Sequence, residues 1–120
     1  MIMKNFKLNF IHLCDEVIFA QDGKVSLIGI FDVINLVALP GSLAKAVLVF
    51  NLGISKKIGK ADLDIAIKEL SSEKEVLKVP TMSISLPDKP GESRLGVTLN
   101  LVNITFQNTG KYLVEAYAKK

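Results

Sequence analysis

A chain of 120 residues is long enough for one domain that buries roughly two-thirds of its unfolded surface. Apolar residues make up 49% of it, charged residues 22%, and the formal net charge is +3, which excludes intrinsic disorder, since disorder needs low hydrophobicity and high net charge. The single cysteine excludes an internal disulfide framework, and no uncharged stretch approaches the roughly eighteen residues of a membrane-spanning helix.

Phe6, Leu8 and Phe10 alternate with Lys7 and Asn9, the period-two pattern of a half-buried strand. This strand runs on through Ile11–Cys14 into a second segment around Val17–Phe19. Gln21-Asp22-Gly23-Lys24 then separates two apolar runs, and Asp-Gly there predicts a type I′ hairpin turn, whose two central residues both need positive φ. Val25–Phe31 is the returning strand. Val33–Gly41 is uncharged and strongly apolar where a polar connection is expected. It reads either as an exposed patch that docks a partner or a second copy, or as another strand or a flap over one open end. Ala44–Leu52 is almost wholly apolar, as expected of a central strand covered on both faces.

Ala61, Leu63, Ile65 and Ile67 alternate with Lys60, Asp62, Asp64 and Lys68 and predict an amphipathic strand; a helix through Leu63, Ile67 and Leu70 is the alternative. Val76–Val79 and Thr81–Leu86 read as two short strands broken by Pro80, which fits only an edge or a break. Pro87-Asp88-Lys89-Pro90-Gly91 is a turn. Leu95, Val97, Leu99 and Leu101 share one face, after which the phase slips to Val102, Ile104 and Phe106, so a β-bulge is expected near Leu101–Asn103. Tyr112, Val114, Ala116 and Ala118 form the last strand. Val, Ile and Thr together number 27, the β-branched enrichment of strands. Eight or nine short strands and no helix predict an all-β fold, a two-layer antiparallel β-sandwich. With no repeat and no Pro/Gly/Ser-rich linker, residues 1–120 read as a single domain.

The most specific local signal is Asn108-Thr109-Gly110-Lys111-Tyr112-Leu113-Val114. It resembles the tyrosine corner of immunoglobulin-like domains, in which Asp-x-Gly-x-Tyr-x-Cys marks the start of a late strand. The resemblance implies that Gly110 supplies a positive-φ turn and that the Tyr112 hydroxyl bonds back to the chain just upstream. Asn108 replaces the acidic residue, Val114 replaces the cysteine, and no Trp is present, so the likeness is to immunoglobulin-like sandwiches in general. A second resemblance rests on Leu13-Cys14-Asp15-Glu16-Val17, Asp22-Gly23-Lys24, Leu27-Ile28-Gly29-Ile30-Phe31-Asp32, Pro40 and Gly110-Lys111-Tyr112. Together these are similar to a family of small bacterial proteins of unknown function. That likeness covers about the first forty and last fifteen residues; it implies a β-sandwich and a bacterial setting, and no reaction, cofactor or partner.

Residues able to do chemistry are few. His12 and Cys14 are unique, and two apart on a strand they share a face. They could form a nucleophile pair oriented by Asp15 or Glu16, yet both prolong the Phe6, Leu8, Phe10 stripe, which makes Cys14 a small buried hydrophobe and His12 a flank or core residue. One His and one Cys fall short of a zinc site, and Asp62 and Asp64 read as solubilising charge on an outer face. Neither phosphate-binding glycine motifs nor a G-x-S-x-G elbow occurs. No enzyme, cofactor or metal is expected.

Lys4, Lys7, Lys119 and Lys120 carry the positive excess; without these four, acidic residues outnumber basic ones by one. The densest basic group, Lys56, Lys57 and Lys60, has no aromatic nearby, and Arg94 is the only arginine, so neither nucleic acid nor a membrane is expected as partner. The N-terminal MIMKNFKLNF lacks the apolar core of a signal peptide, which predicts a cytoplasmic location. The expected function is a non-catalytic module acting by protein–protein contact or self-association, through Ile34, Leu36, Val37 and Leu39 and an exposed strand edge, with Gly110 and Tyr112 as a structural corner. The alternative is a small apolar ligand held inside or at one end of the sandwich.

Overall fold

The computed structural model describes residues 6–54, 60–85 and 93–119. Leu86, the expected Pro87–Gly91 turn, and Lys56 and Lys57 lie outside the described residues. Within them the chain is all-β: β1 (Phe6–Cys14), β2 (Glu16–Phe19), β3 (Val25–Ile28), β4 (Gly41–Ile54), β5 (Lys60–Glu69), β6 (Glu75–Ser85), β7 (Ser93–Phe106) and β8 (Tyr112–Lys119). All pairings are antiparallel. One sheet has the order β1-β4-β7, another β6-β5-β8, and β2 and β3 form a separate hairpin.

The two three-stranded sheets close on a common interior. Ala46, Leu48, Phe50 and Leu52 of β4 face Leu63, Ile65 and Ile67 of β5, and Leu101, Ile104, Phe106 and Ala116 complete one buried cluster. Each large aliphatic or aromatic side chain so removed from water contributes about 1.5–3 kcal/mol relative to exposure. β5 settles as a strand because its alternation is unbroken: Ala61, Leu63, Ile65 and Ile67 are buried, while Asp62 is exposed on the other face.

The expected double cover of β4 is present, and its source is the β2–β3 hairpin. Val47 and Val49 point away from the interior, yet they are buried together with Cys14 under Val17 and Leu27. The hairpin lies on the outer face of the β1-β4-β7 sheet. This placement depends on a phase switch in β1. Register shifts between Leu8 and Phe10, leaving Asn9 as the extra residue of a bulge, where it donates to Asn51 Oδ1 at 2.8 Å. Phe6 and Leu8 face the interior, but beyond the bulge Ile11 and Leu13 take over, opposite Phe50 and Leu48. Phe10, His12 and Cys14 therefore stand on the outer face. The expected continuous stripe from Phe6 to Cys14 is broken at Asn9.

The phase slip expected in β7 occurs at Asn103, whose φ of 51° is left-handed. The register against β4 does not shift there, so the β-bulge expected near Leu101–Asn103 does not form; Ala44 and Asn103 are both skipped, with Leu43–Ile104 and Lys45–Val102 paired on either side. Leu101 and Ile104 are both buried as a result, and Val102 is exposed.

Three local expectations are corrected. The hairpin loop is not type I′: among its residues only Gly23 has positive φ, at 88°. Ala20 N–H donates to Lys24 C=O and Gly23 N–H to Ala20 C=O, which closes a three-residue loop with glycine at the left-handed position. β3 ends at Ile28, short of Phe31, because Gly29 turns the chain at φ 70° and packs against the Asp15 side chain. β6 runs unbroken through Pro80. It is an edge strand, so the missing N–H faces no partner, and the register shift between Leu63 and Ile65 absorbs the irregularity.

Candidate functional site

The segment between β3 and β4 crosses the side of the molecule that lies between β1 and β8. It is pinned at one end by Phe31, whose N–H donates to Leu13 C=O at 2.9 Å, and at the other by Gly41 at the start of β4, opposite Phe106. Between these anchors no strand forms. Ile34 and Leu36 are half-buried and pack on the shared interior, whereas Val33, Val37 and Leu39 are exposed, Val37 completely. Of the four expected interface residues, then, Ile34 and Leu36 serve as the underside of a flap. Val37 and Leu39 remain on the surface, joined by Val33 and Ile30.

The flap does not fill the opening. A cavity of about 650 Å³ lies between it and the start of β8, with Leu36, Ile67, Ile104, Phe106 and Val114 in its wall and Asp32 and Lys111 among its polar groups. A second, about 580 Å³, lies along β1 and β8 and is lined by Ile11, Leu13, Leu48, Leu113 and Val114. Leu13, Asp32 and Val114 border both.

The corner beside the first cavity is built as the Asn108–Val114 motif implies. The Tyr112 hydroxyl donates to Asn108 C=O at 2.5 Å, its ring meets Phe106 edge-on at 4.9 Å, and Gly110 has φ 138°. Sequence reasoning missed the group that ties this corner to the second sheet. Glu69 is buried, at 8% exposure, and accepts from Asn108 Nδ2 at 3.2 Å and Ser71 Oγ at 2.9 Å, with the Tyr112 hydroxyl 3.5 Å away. Those hydrogen bonds, Asn108 first and Ser71 next, hold its carboxyl below the ordinary value. The signal was present: Glu69 is the next odd position after Ile67, hence the next inward one.

His12 and Cys14 share a face, as their spacing requires, but not an environment. His12 is exposed and stacks on Phe10 at 5.7 Å between ring centroids. Cys14 is wholly buried beneath the hairpin, with its thiol 3.7 Å from Val47 C=O, and desolvation raises its pKa. A nucleophilic cysteine needs the opposite shift and partial exposure. Asp62 accepts from Ser83 and Asp64 from Thr81 across the β5–β6 pair. Elsewhere on the outer face of this sheet Lys68 pairs with Glu115 at 3.0 Å, and the Tyr117 hydroxyl donates to the same carboxylate at 2.8 Å. Among the described residues no group of three or more His, Cys, Asp or Glu is placed to hold a metal ion, and no helix is long and apolar enough to cross a membrane.

Fold and site together define an all-β protein of two packed antiparallel sheets, with an apolar flap over one side. A family model described as a family of unknown function (DUF6941) matches residues 9–118, and the chain belongs to that family. The expected kinship with a family of unknown function is thereby confirmed, over far more of the chain than the motifs that suggested it. No curated protein and no solved structure matches the chain.

Proposed function

We propose that this protein is a non-catalytic, immunoglobulin-like β-sandwich that works by contact with another protein. The observation that carries the reading is the outward set Ile30, Val33, Val37 and Leu39, large apolar side chains left in water on a connection whose one charged residue is Asp32. An apolar surface of this kind costs solubility and is retained where a partner covers it. The immunoglobulin-like assignment is supported by topology. The order β1-β4-β7 facing β6-β5-β8 corresponds to strands A-B-E facing C′-C-F, with β2 and β3 inserted between A and B. The tyrosine corner then falls between E and F, its usual place in that fold.

The test is affinity capture from the native host with the tagged chain and with a Val37→Asp, Leu39→Asp variant. Both side chains are exposed, so the fold is retained. Proteins held by the parent and lost from the variant, identified by mass spectrometry, are the expected result; the same set bound by both would overturn the reading.

The aliphatic wall of the 650 Å³ cavity favours a second reading, a small apolar ligand seated under the flap. It predicts added mass in native mass spectrometry of freshly purified protein, and a clean apo spectrum counts against it.

A further inference from the structure

Among the described residues each of the two larger sheets has two edges, and three of the four carry a device that discourages pairing. β6 contains Pro80 and breaks register twice against β5. β1 is bulged at Asn9, and Phe31 bonds to its outer side at Leu13. β7 carries the left-handed Asn103 and lies alongside β6. β8 has none of these. From Tyr112 to Lys119 it contains no Pro, no Gly and no residue of positive φ, and it keeps one register against β5 throughout.

Which backbone groups are free follows from one hydrogen bond. Leu70 N–H donates to Lys111 C=O, so in this constant register the odd-numbered residues of β8 direct their backbone groups to β5. Val114 and Ala116 direct theirs outward. On the solvent face of the same strand Leu113 and Tyr117, two large side chains, stay exposed on either side of Glu115.

We infer that β8 pairs with β8 of a second copy of this chain, antiparallel and centred on Ala116, joining the two β6-β5-β8 sheets into one of six strands. The inference rests on the contact-module reading but uses a different surface from the flap. Self-pairing is favoured because the strand complements itself. Centred on Ala116, Glu115 of one copy stands opposite Tyr117 of the other, a carboxylate against a phenol, and no like charges meet. Centred one residue earlier, Glu115 would face Glu115, which is destabilising. Centred further toward Tyr112, the incoming strand would meet the flap that borders the cavity beside Val114. The cavity along β1 and β8 leaves room beside this edge, where an immunoglobulin-like sheet takes a further strand next to F.

The experiment uses the full chain with Cys14→Ser and a spin label on Ala66→Cys, which lies on β5 opposite Glu115 and outside the paired stretch, compared with a label on Ser26→Cys in the β2–β3 hairpin. Labels on position 66 of the two copies stand three strand spacings apart and two residues out of register, with backbones about 16 Å from each other. The expected results are sedimentation at twice the 13.1 kDa of one chain, a dipolar-broadened spectrum at 66, and a sharp one at 26. Ala116→Pro removes the outward N–H at the centre of the pairing and leaves the bonds to β5 in place, since residue 116 directs its backbone groups away from β5. It should weaken the dimer about tenfold. A monomer at high concentration, a dimer with a sharp spectrum at 66, or undiminished dimerisation of Ala116→Pro would each overturn the inference. A monomer would leave this edge to a strand of another polypeptide. The Val37→Asp, Leu39→Asp variant keeps the two readings apart. Loss of captured proteins with a monomeric chain defeats only the edge, and a β8 dimer whose captured set is unchanged by that variant defeats only the flap.

Discussion

Glu69 occupies an inward position that alternation assigns to an apolar side chain, and its neighbours explain how it is tolerated. Asn108 and Ser71 donate to it and the Tyr112 hydroxyl lies beside it, so the buried carboxylate is solvated by the corner in place of water. Its pKa is depressed below the ordinary 4.5, which fixes the sign of its contribution. The stabilisation is fully present above about 4.5 and is lost as pH falls through the lower folded value. Glu115 is depressed too, by the Tyr117 hydroxyl first and Lys68 next, so the acid response is shared. Glu69→Gln separates the two. Urea melts at neutral pH and near pH ~3 should show a smaller loss of stability on acidification in the variant than in the parent. Equal losses would mean that Glu69 is not the group responsible. The Lys68–Glu115 pair acts at the other end of the scale as well, since Lys68 is raised and its contribution disappears as pH climbs through that raised value. Both partners lie near solvent, and such pairs are worth little.

Among elements, the β2–β3 hairpin has the most testable role. Among the described residues, Val17 and Leu27 are the partly buried apolar side chains packed over Cys14, Val47 and Val49. Leu27→Ala should therefore open the thiol. Native-state alkylation of Cys14 is expected to be at least about tenfold faster in the variant, at a stability cost of about 1–2 kcal/mol for this half-buried leucine. An unchanged rate, read by mass spectrometry, would show that something else shields the sulfur. The strands themselves were legible because period-two alternation records which side chains leave water, and β5, with the cleanest alternation, was placed within a residue or two. Phase was less legible. Phe10-Ile11 are adjacent apolar residues, and nothing in their order says whether the inward row continues through Phe10 or restarts at Ile11. The choice falls to Asn9, squeezed out opposite Asn51, a partner more than forty positions away. Pro80 was over-read for a related reason: it breaks a central strand, and edge status is a property of pairing.

At the scale of the whole molecule, the layers were legible and the pairing was not. Alternation implies two faces, and two apolar faces must meet; it does not say that β4 separates β1 from β7, or that among the described residues β8 pairs with β5 alone. The candidate site suffered from the same gap, since the apolar Val33–Leu39 stretch was visible but its split into an inner and an outer row depends on the opening that it spans. Leu48 lies at the centre of this arrangement, opposite Leu13 and Leu99, in the interior shared by both sheets. Leu48→Ala should cost about 3 kcal/mol. It should also lower the protection of β5 amides in hydrogen exchange as much as that of β4. Protection lost from β4 alone would show that the sheets open independently.

The long separation between β4 and its second neighbour bears on how the protein is made. β4 ends at Ile54 and β7 begins at Ser93, so a ribosome adding roughly 5–20 residues per second releases the apolar run Ala46–Phe50 seconds before its partner emerges. During that interval one flank of the strand has only solvent or a chaperone beside it. Slow codons between these two strands would lengthen the interval, and the yield of intact protein from a living cell would register the delay.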